Sequence, residues 1–273
     1  MGEDDPVTSA LTIASVNVNG VRAAFRRGMG DWLARCSPDV LLLQEVRADD
    51  GTLASLLPGW HLVHQAGAAA GRAGVAVASR LPMQAVRIGL GTDVPGDEGR
   101  WVEADLETPD GLLTVVSVYL YSATADHPSL DAKYAFSEHI TRRLRELGDA
   151  RAVVGGDLNI AHREVDIKNW KGNLDKAGFL PAERAYLDRW FDELGWTDVG
   201  RSLGGPGPGP YTWWSWRGKA FDNDAGWRID YQLTSPALGS AAVTARVDRA
   251  LTYAERFSDH APFVVEYDLA SHR

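Results

Sequence analysis

Apolar and β-branched residues first gather in Leu11-Thr-Ile-Ala-Ser-Val-Asn-Val18, which stops at the turn dipeptide Asn19-Gly20. The pattern predicts a strand, and Asn17 and Asn19 share one face of its end. Arg22 to Arg35 reads as a helix with Ala24, Phe25, Trp32 and Leu33 as core contacts and Pro38 beyond its end. Asp39-Val-Leu-Leu-Leu-Gln44-Glu45-Val is almost unbroken apolar chain, the mark of a strand buried on both faces. A carboxylate at the end of such a strand is costly to bury without a partner, which makes Glu45 a candidate to hold a cation.

Between Trp60 and Leu120, Gly and Pro separate short apolar runs: His61 to Gln65, Gly74 to Ser79, Ala85 to Leu90, Trp101 to Leu106, and Leu112 to Leu120. Strands in such close succession predict an antiparallel meander, although pattern alone does not distinguish parallel from antiparallel pairing. The last run carries Tyr119 at its end. Ser129 to Leu147 is the clearest helix, with Phe136, Ile140, Leu144 and Leu147 on one face and Gly148 as its stop. Arg151-Ala-Val-Val-Gly-Gly-Asp157-Leu-Asn159 reads as a buried strand whose glycines admit close backbone approach, with Asp157 and Asn159 on one face. Pro181 to Leu194 follows as a helix with Pro in its first turn.

Gly204-Gly-Pro-Gly-Pro-Gly-Pro210 excludes helix and central strand, so it is an exposed loop. Too few strands follow it to build a second core, and one domain over residues 11–269 after an acidic tail at 1–10 is expected. Four Trp lie beside the loop, at 213, 214, 216 and 227. Trp213 and Trp214 are consecutive and point opposite ways on extended chain, so one of them can be exposed, free to stack on a base or sugar. Gly226-Trp227-Arg-Ile-Asp230-Tyr is the next expected strand, and Ser258-Asp259-His260-Ala-Pro262 stands at the mouth of the last.

The 273 residues hold no apolar run of membrane-spanning length, and Glu3-Asp4-Asp5 lacks the character of a signal peptide, so a cytoplasmic protein without a membrane partner is expected. Cys36 cannot form an internal disulfide, being the only cysteine, and reads as a core thiol. The net charge of −9 argues against a polyanionic partner, but carboxylates gathered around a metal are offset by it and remove most of that objection. Of 28 basic residues only five are Lys; Arg suits bidentate phosphate contacts, although a GC-rich genome gives the same bias.

Strand ends along the chain now carry polar groups: Asn17 with Asn19, Glu45, Tyr119, Asp157 with Asn159, and Asp230 followed by Asp259-His260. Converging strand ends are how α/β scaffolds assemble sites. Oxygen donors with a single imidazole suit Mg²⁺ or Mn²⁺ rather than Zn²⁺, and Mg²⁺ points to phosphate chemistry.

Ser-Val-Asn17-Val-Asn19-Gly-Val-Arg, Leu-Leu-Gln-Glu45, Gly-Gly-Asp157-Leu-Asn159-Ile-Ala-His, Lys171-Gly-Asn173, Ala-Gly-Phe179-Leu-Pro-Ala-Glu-Arg184, Gly-Trp227-Arg-Ile-Asp230-Tyr and Ser-Asp259-His260-Ala-Pro together resemble the exonuclease III type of AP endonuclease. The resemblance runs from about Thr12 to Glu266. Glu45, Asp157, Asn159, Asp259 and His260 are shared with a wider superfamily that includes deoxyribonuclease I and inositol polyphosphate phosphatases. The resemblance implies a four-layer α/β sandwich, two mixed sheets face to face with helices outside. It also implies Mg²⁺-dependent hydrolysis of phosphodiesters in double-stranded DNA: cleavage 5′ of abasic sites, 3′ to 5′ exonuclease action and removal of 3′-blocking groups. A monomer is expected.

On that resemblance Glu45 is the leading metal ligand, helped by Asn19 and Asp259 directly or through water. Asp157, held by Asn159 and Asn17, orients or deprotonates the attacking water, and His260, oriented by Asp230, stabilises phosphate charge. Which of Asp157 and His260 is the general base stays open. Tyr119 bonds the phosphate or assists the leaving group. Trp213 and Trp227 match the wall of a pocket for an extruded abasic sugar, and Asn173 is a further substrate contact.

The chain departs from the family after Tyr119, where Val-Pro-Asn is common and Leu120-Tyr121-Ser122 stands here. Ser122 can donate one hydrogen bond in place of the amide, and Ala123-Thr-Ala-Asp126-His127-Pro128 supplies no Arg for DNA. These changes bear on the balance of exonuclease and AP-endonuclease activity. Two other readings are a small-molecule phosphatase or phosphodiesterase of the same superfamily, and an inactive DNA-end-binding module. The branch-specific segments disfavour the first, and the intact set of core residues disfavours the second.

Overall fold

The structure is a computed structural model and describes residues 10–270, apart from positions 92, 93, 95, 126 and 127. The expected acidic tail, except for Ala10, and the Asp126-His127 pair therefore lie outside the described residues. The strands are β1 (Leu11–Asn17), β2 (Val40–Gln44), β3 (His61–Gln65), β4 (Val75–Ser79), β5 (Met83–Ile88) and β6 (Trp101–Thr108). They continue as β7 (Gly111–Tyr119), β8 (Ala152–Asp157), β9 (Thr197–Asp198), β10 (Asp230–Thr234), β11 (Ala242–Val247) and β12 (Phe263–Tyr267). The helices are α1 (Val21–Arg26), α2 (Met29–Cys36), α3 (Asp50–Leu56), α4 (Pro128–Leu147), α5 (Pro181–Asp188) and α6 (Val199–Gly204).

Two six-stranded mixed sheets result, ordered β11-β12-β1-β2-β4-β3 and β5-β6-β7-β8-β10-β9. Strand alternation sorts their side chains. Ile13, Leu42, Val77 and Val265 from the first sheet meet Val102, Ala104, Val115 and Val153 from the second in one buried cluster. Ala14, Val16, Leu41 and Leu43 point the other way onto Val21, Met29, Trp32 and Leu53. On the far side Val116, Val118, Val154 and Leu233 bury Phe136, Ile140, Leu144 and Leu187. Helices, sheet, sheet and helices form the four-layer α/β sandwich that the resemblance implies.

The inward-facing row of each central strand changes character along its length. Ile13 gives way to Ser15 and Asn17, Leu42 to Gln44, Val115 to Ser117 and Tyr119, and Val153 to Gly155 and Asp157. β10 is antiparallel to β8, so its polar end is its start, and Asp230 sits in register with Asp157. The space between the sheets is thus dry at one end and polar at the other. Halfway along, the Gln44 amide donates to the Ser117 hydroxyl at 3.0 Å across the gap. Gly155 sets the closeness of the sheets there, since a Cβ on it would stand 2.6 Å from the Leu42 Cδ1.

Several boundaries differ from the sequence pattern. The helix expected over 22–35 breaks into α1 and α2 at Gly28, whose φ of 102° is a left-handed turn that suits glycine. The five short strands do not form one meander: β3 pairs β4 in the first sheet, while β5, β6 and β7 form a meander in the second. The expected strand at 226–231 enters its ladder only at Asp230, leaving Trp227 in isolated bridges to Trp213 and Ile167. The helix expected over 181–194 closes at Asp188 and continues as a π turn over Arg189–Glu193.

Candidate active site

The polar end of the inter-sheet space is where the expected residues meet. Val18 continues β1 by donating to the Gln44 carbonyl, and Asn19, Glu45 and Asn159 then leave their strands with φ of 45°, 50° and 50°. Left-handed backbone is uncommon outside glycine, tolerated by Asn and costly for Glu. It turns three strand ends sharply, so that side chains from β1, β2 and β8 converge.

Asn17 is buried between two carboxylates. Its amide nitrogen donates to the Glu45 Oε1 at 3.0 Å and to the Asp157 Oδ2 at 2.9 Å, while its Oδ1 accepts the Asn19 N–H at 3.1 Å. The Ser258 hydroxyl fixes the Asn17 backbone by donating to its carbonyl at 2.7 Å. Asn159 grips Asp157 from the other side, with its N–H on the Oδ1 at 2.8 Å and its amide on the Oδ2 at 3.1 Å. The same amide donates to the Leu120 carbonyl at 3.0 Å, which ties the loop after β7 to the site.

His260 lies opposite. Its Nδ1 is 2.8 Å from the Asp230 Oδ2 and its Nε2 is 3.8 Å from the Asp157 Oδ2. The Nδ1 is thereby oriented and protonated, and the Nε2 faces Asp157. Burial pulls the imidazole pKa down, but Asp230 and Asp157 outweigh it and carry the value up to about 10. Burial raises Asp157 to about 7, reinforced by Asp230 and Glu45 and opposed by His260. Tyr119 is buried beside the group, its phenol pushed well above its ordinary value by desolvation and then by the Glu45 and Asp157 charges.

Glu45, Asn19 and Asp259 are half-buried, unlike Asp157, Asp230 and His260, which are buried. The Asn19 amide donates to the Asp259 Oδ1 at 2.8 Å, and Glu45 forms an ion pair with Arg47. This outer group offers carboxylate and amide oxygens at the solvent edge, a donor set that fits a hard, partly hydrated divalent cation. An imidazole nitrogen and two carboxylates, from His260, Asp157 and Asp230, also come within 4.8 Å of one another. That inner trio is already engaged: Asp230 holds the imidazole, and both Asp157 oxygens accept amide donors. The outer carboxylates are engaged as well, Glu45 by Asn17 and Arg47 and Asp259 by Asn19 and Trp213. They stand half-buried at the solvent edge in an all-oxygen set, however, which suits a hydrated hard cation better than the buried trio with its imidazole.

A pocket opens beside these groups, lined by Ser122, Ala123, Asn159, Gly178, Trp213, Trp227 and Ile229. Trp213 and Trp227 meet edge to face at 6.1 Å, and Trp213 donates its indole N–H to the Asp259 Oδ2 at 3.1 Å. Trp214 points away into buried packing, as alternation predicts. Asn173 does not line this pocket, and its amide donates to the Asn169 carbonyl at 2.9 Å within its own turn.

Four contributors escaped the sequence reading. Thr212 accepts the Asp230 N–H on its hydroxyl at 3.1 Å, and nothing in the pattern marks it. Ser258 stands out in the sequence only as part of the Ser-Asp-His-Ala-Pro motif. Arg47 stands two residues from Glu45, a legible charge pair. Lys133 donates to the Asn159 carbonyl at 2.8 Å and to Glu183 at 2.5 Å while almost fully buried. Its signal is a charge one turn before Phe136 on the apolar face of α4.

Comparison with known proteins agrees with this geometry. Residues 14–260 match the model of the Endonuclease/Exonuclease/phosphatase family. The exodeoxyribonuclease of Bacillus subtilis (strain 168) is 32% identical over 254 residues, 92% of this chain and 97% of that protein. Among solved structures, an AP endonuclease from Archaeoglobus fulgidus superposes with a TM-score of 0.84 at 29% identity, covering 94% of this chain and 99% of its own. The 3′ phosphatase NExo from Neisseria, bound to a product DNA hairpin, gives 0.84 at 31% identity with the same coverage of 94% and 99%. Strand ends that carry an amide-bridged pair of carboxylates and a carboxylate-held imidazole, on a matched sandwich, make this chain a member of the endonuclease/exonuclease/phosphatase family.

Proposed function

We propose that this chain is a Mg²⁺-dependent DNA repair nuclease, a monomer with one catalytic domain over residues 11–269. Its substrates are double-stranded DNA with abasic sites, cleaved on the 5′ side, and duplex 3′ ends, trimmed or unblocked. The observation that carries this reading is Asn17 bridging Glu45 and Asp157 beside the Asp230-held His260, at the mouth of the Trp213–Trp227 pocket.

The roles follow from the surroundings of each group. Glu45 with Asn19 and Asp259 would hold Mg²⁺, or Mn²⁺ in its place, which would supply charge neutralisation at the phosphate and leaving oxygen. Asp157, raised to about 7 by burial, can accept a proton from water on an oxygen that Asn17 and Asn159 keep aimed. His260, held charged by Asp230, would offset the negative charge of a bound phosphate. Tyr119 keeps its proton and can donate it as a hydrogen bond. Ser122, on the pocket lining, can donate one hydrogen bond to a phosphate, and the two indoles wall a space for a sugar without a base.

The test is cleavage of a duplex with one abasic analogue and a recessed 3′ end, in Mg²⁺ or in EDTA. Mg²⁺-dependent cutting of either supports the proposal; EDTA-resistant cleavage, or none, sinks it. Size-exclusion chromatography at assay concentration tests the monomer.

A further inference from the structure

The Gly204–Pro210 tract has no part in the site as described, yet it delivers the chain to it. Pro206, Pro208 and Pro210 lack N–H donors, and Gly205 and Gly209 curl the chain beside them with φ of 73° and 68°, a backbone that suits glycine. The tract therefore cannot satisfy its own carbonyls. Arg201, in α6, does so with one guanidinium: Nη1 donates to the Gly205 carbonyl at 2.6 Å and the Gly207 carbonyl at 2.9 Å, and Nη2 to the Gly209 carbonyl at 2.9 Å. The same Nη2 pairs with Asp166, which is fully buried.

Asp166 also receives the Arg228 Nε at 2.7 Å, and Arg228 forks onto Asp198 at 3.0 and 2.8 Å. Asp198 closes the ring by accepting the Arg201 N–H at 3.1 Å. Arg228 lies between Trp227, on the pocket wall, and Ile229-Asp230, which carries the His260 partner. The curled tract feeds directly into Thr212 and Trp213. Thr212 hydrogen-bonds Trp227 through its N–H at 2.8 Å and takes the Ile229 and Asp230 N–H groups on its hydroxyl, at 3.1 Å each.

Resting on the nuclease reading above, we propose that Arg201 is a positioning residue for the aromatic wall, fixing where Trp213 meets Trp227 and so how tightly an extruded sugar is held. The guanidinium touches no substrate. It acts by fixing the length and curl of the tract that leads through Tyr211 to Thr212. A fork of five fixed donors can span three carbonyls and a carboxylate at once, whereas an ammonium is a single point.

Arg201→Lys and Arg201→Ala should each raise KM for abasic duplex about tenfold, with kcat per titrated active site within about twofold of the parent. Loss of Arg201 leaves Asp166 paired with Arg228, so both variants keep a partner for the buried carboxylate. A purely structural role would lower the melting temperature and the active fraction while leaving KM unchanged, and that outcome overturns the proposal. Should Arg201→Ala fail to fold, Arg201→Lys decides alone: a raised KM supports positioning and an unchanged KM refutes it. An inactive parent protein would instead mark failure of the nuclease reading.

Discussion

Lys133→Met removes the charge from the most deeply buried ion pair next to the site. Lys133 and Glu183 have side-chain exposures of 1% and 0%, with 2.5 Å between Nζ and Oε1. At an effective dielectric of about 20, Coulomb attraction at that separation is about 7 kcal/mol, which the cost of desolvating both ions largely offsets. Burial accordingly pulls the lysine pKa down, against the raising effect of Glu183 and Asp157. The intact pair therefore adds little net stability, but removal of one partner strands the other, at about 3–5 kcal/mol.

Glu183 is not left bare, since its Oε2 still accepts the Gly178 N–H at 2.6 Å and the Leu180 N–H at 3.1 Å. Methionine also fills most of the lysine stem. The loss should therefore lie near the lower bound, about 3 kcal/mol, or a fall of about 6–12 °C in melting temperature for a chain of this size. Adding Glu183→Gln keeps an oxygen for both N–H groups and removes the stranded charge, so the double variant should recover at least half of the loss. Urea unfolding followed by tryptophan fluorescence, with unchanged m-values, measures both. A single variant within about 1 kcal/mol of the parent, or a double variant less stable than the single, would refute the reasoning. Because Lys133 also holds the Asn159 carbonyl, kcat of Lys133→Met measured well below its melting point should drop as well.

Glu45→Gln should reduce activity by orders of magnitude and raise the Mg²⁺ concentration needed for half-maximal rate; an unchanged metal titration would show the ligand assignment to be wrong. Asp230→Asn removes the carboxylate that carries His260 up to about 10, so the alkaline limb of the kcat/KM profile should move to lower pH. A limb that stays put would mean that His260 does not titrate there. Asp166 is held below the usual carboxylate range, its burial outweighed by Arg228 and Arg201. It therefore adds stability above its unfolded pKa that is lost as pH falls through its lowered folded value. Thermal melts should show Asp166→Asn less stable at pH 7 and less sensitive to acid than the parent.

The site residues on β1, β2 and β8 were legible because each ends an apolar run at a polar residue, a contrast that buried strands cannot hide. α4 was legible from the helical spacing of Phe136, Ile140, Leu144 and Leu147, although Lys133 interrupts that face one turn earlier. β11 was missed because it is an edge strand with both faces largely exposed, including Val243, so no alternation contrasts one side with the other. The seven residues of α3 are too few to show a period. Sheet membership was not readable either: β4 and β5 are separated by three residues and lie in different sheets, a choice made by packing between layers. Arg201 and Thr212 act through backbone groups, which carry no residue-type signature.

The left-handed backbone of Glu45 bears on how the chain could be engineered. Asn19 and Asn159 adopt that conformation at small cost, but a glutamate there stores strain of about 1 kcal/mol or more. A selection for thermal tolerance alone would accordingly favour Glu45→Gly or Glu45→Asn, which relax the turn. Such variants would be hardier and inert, and the position marks where durability and turnover pull in opposite directions.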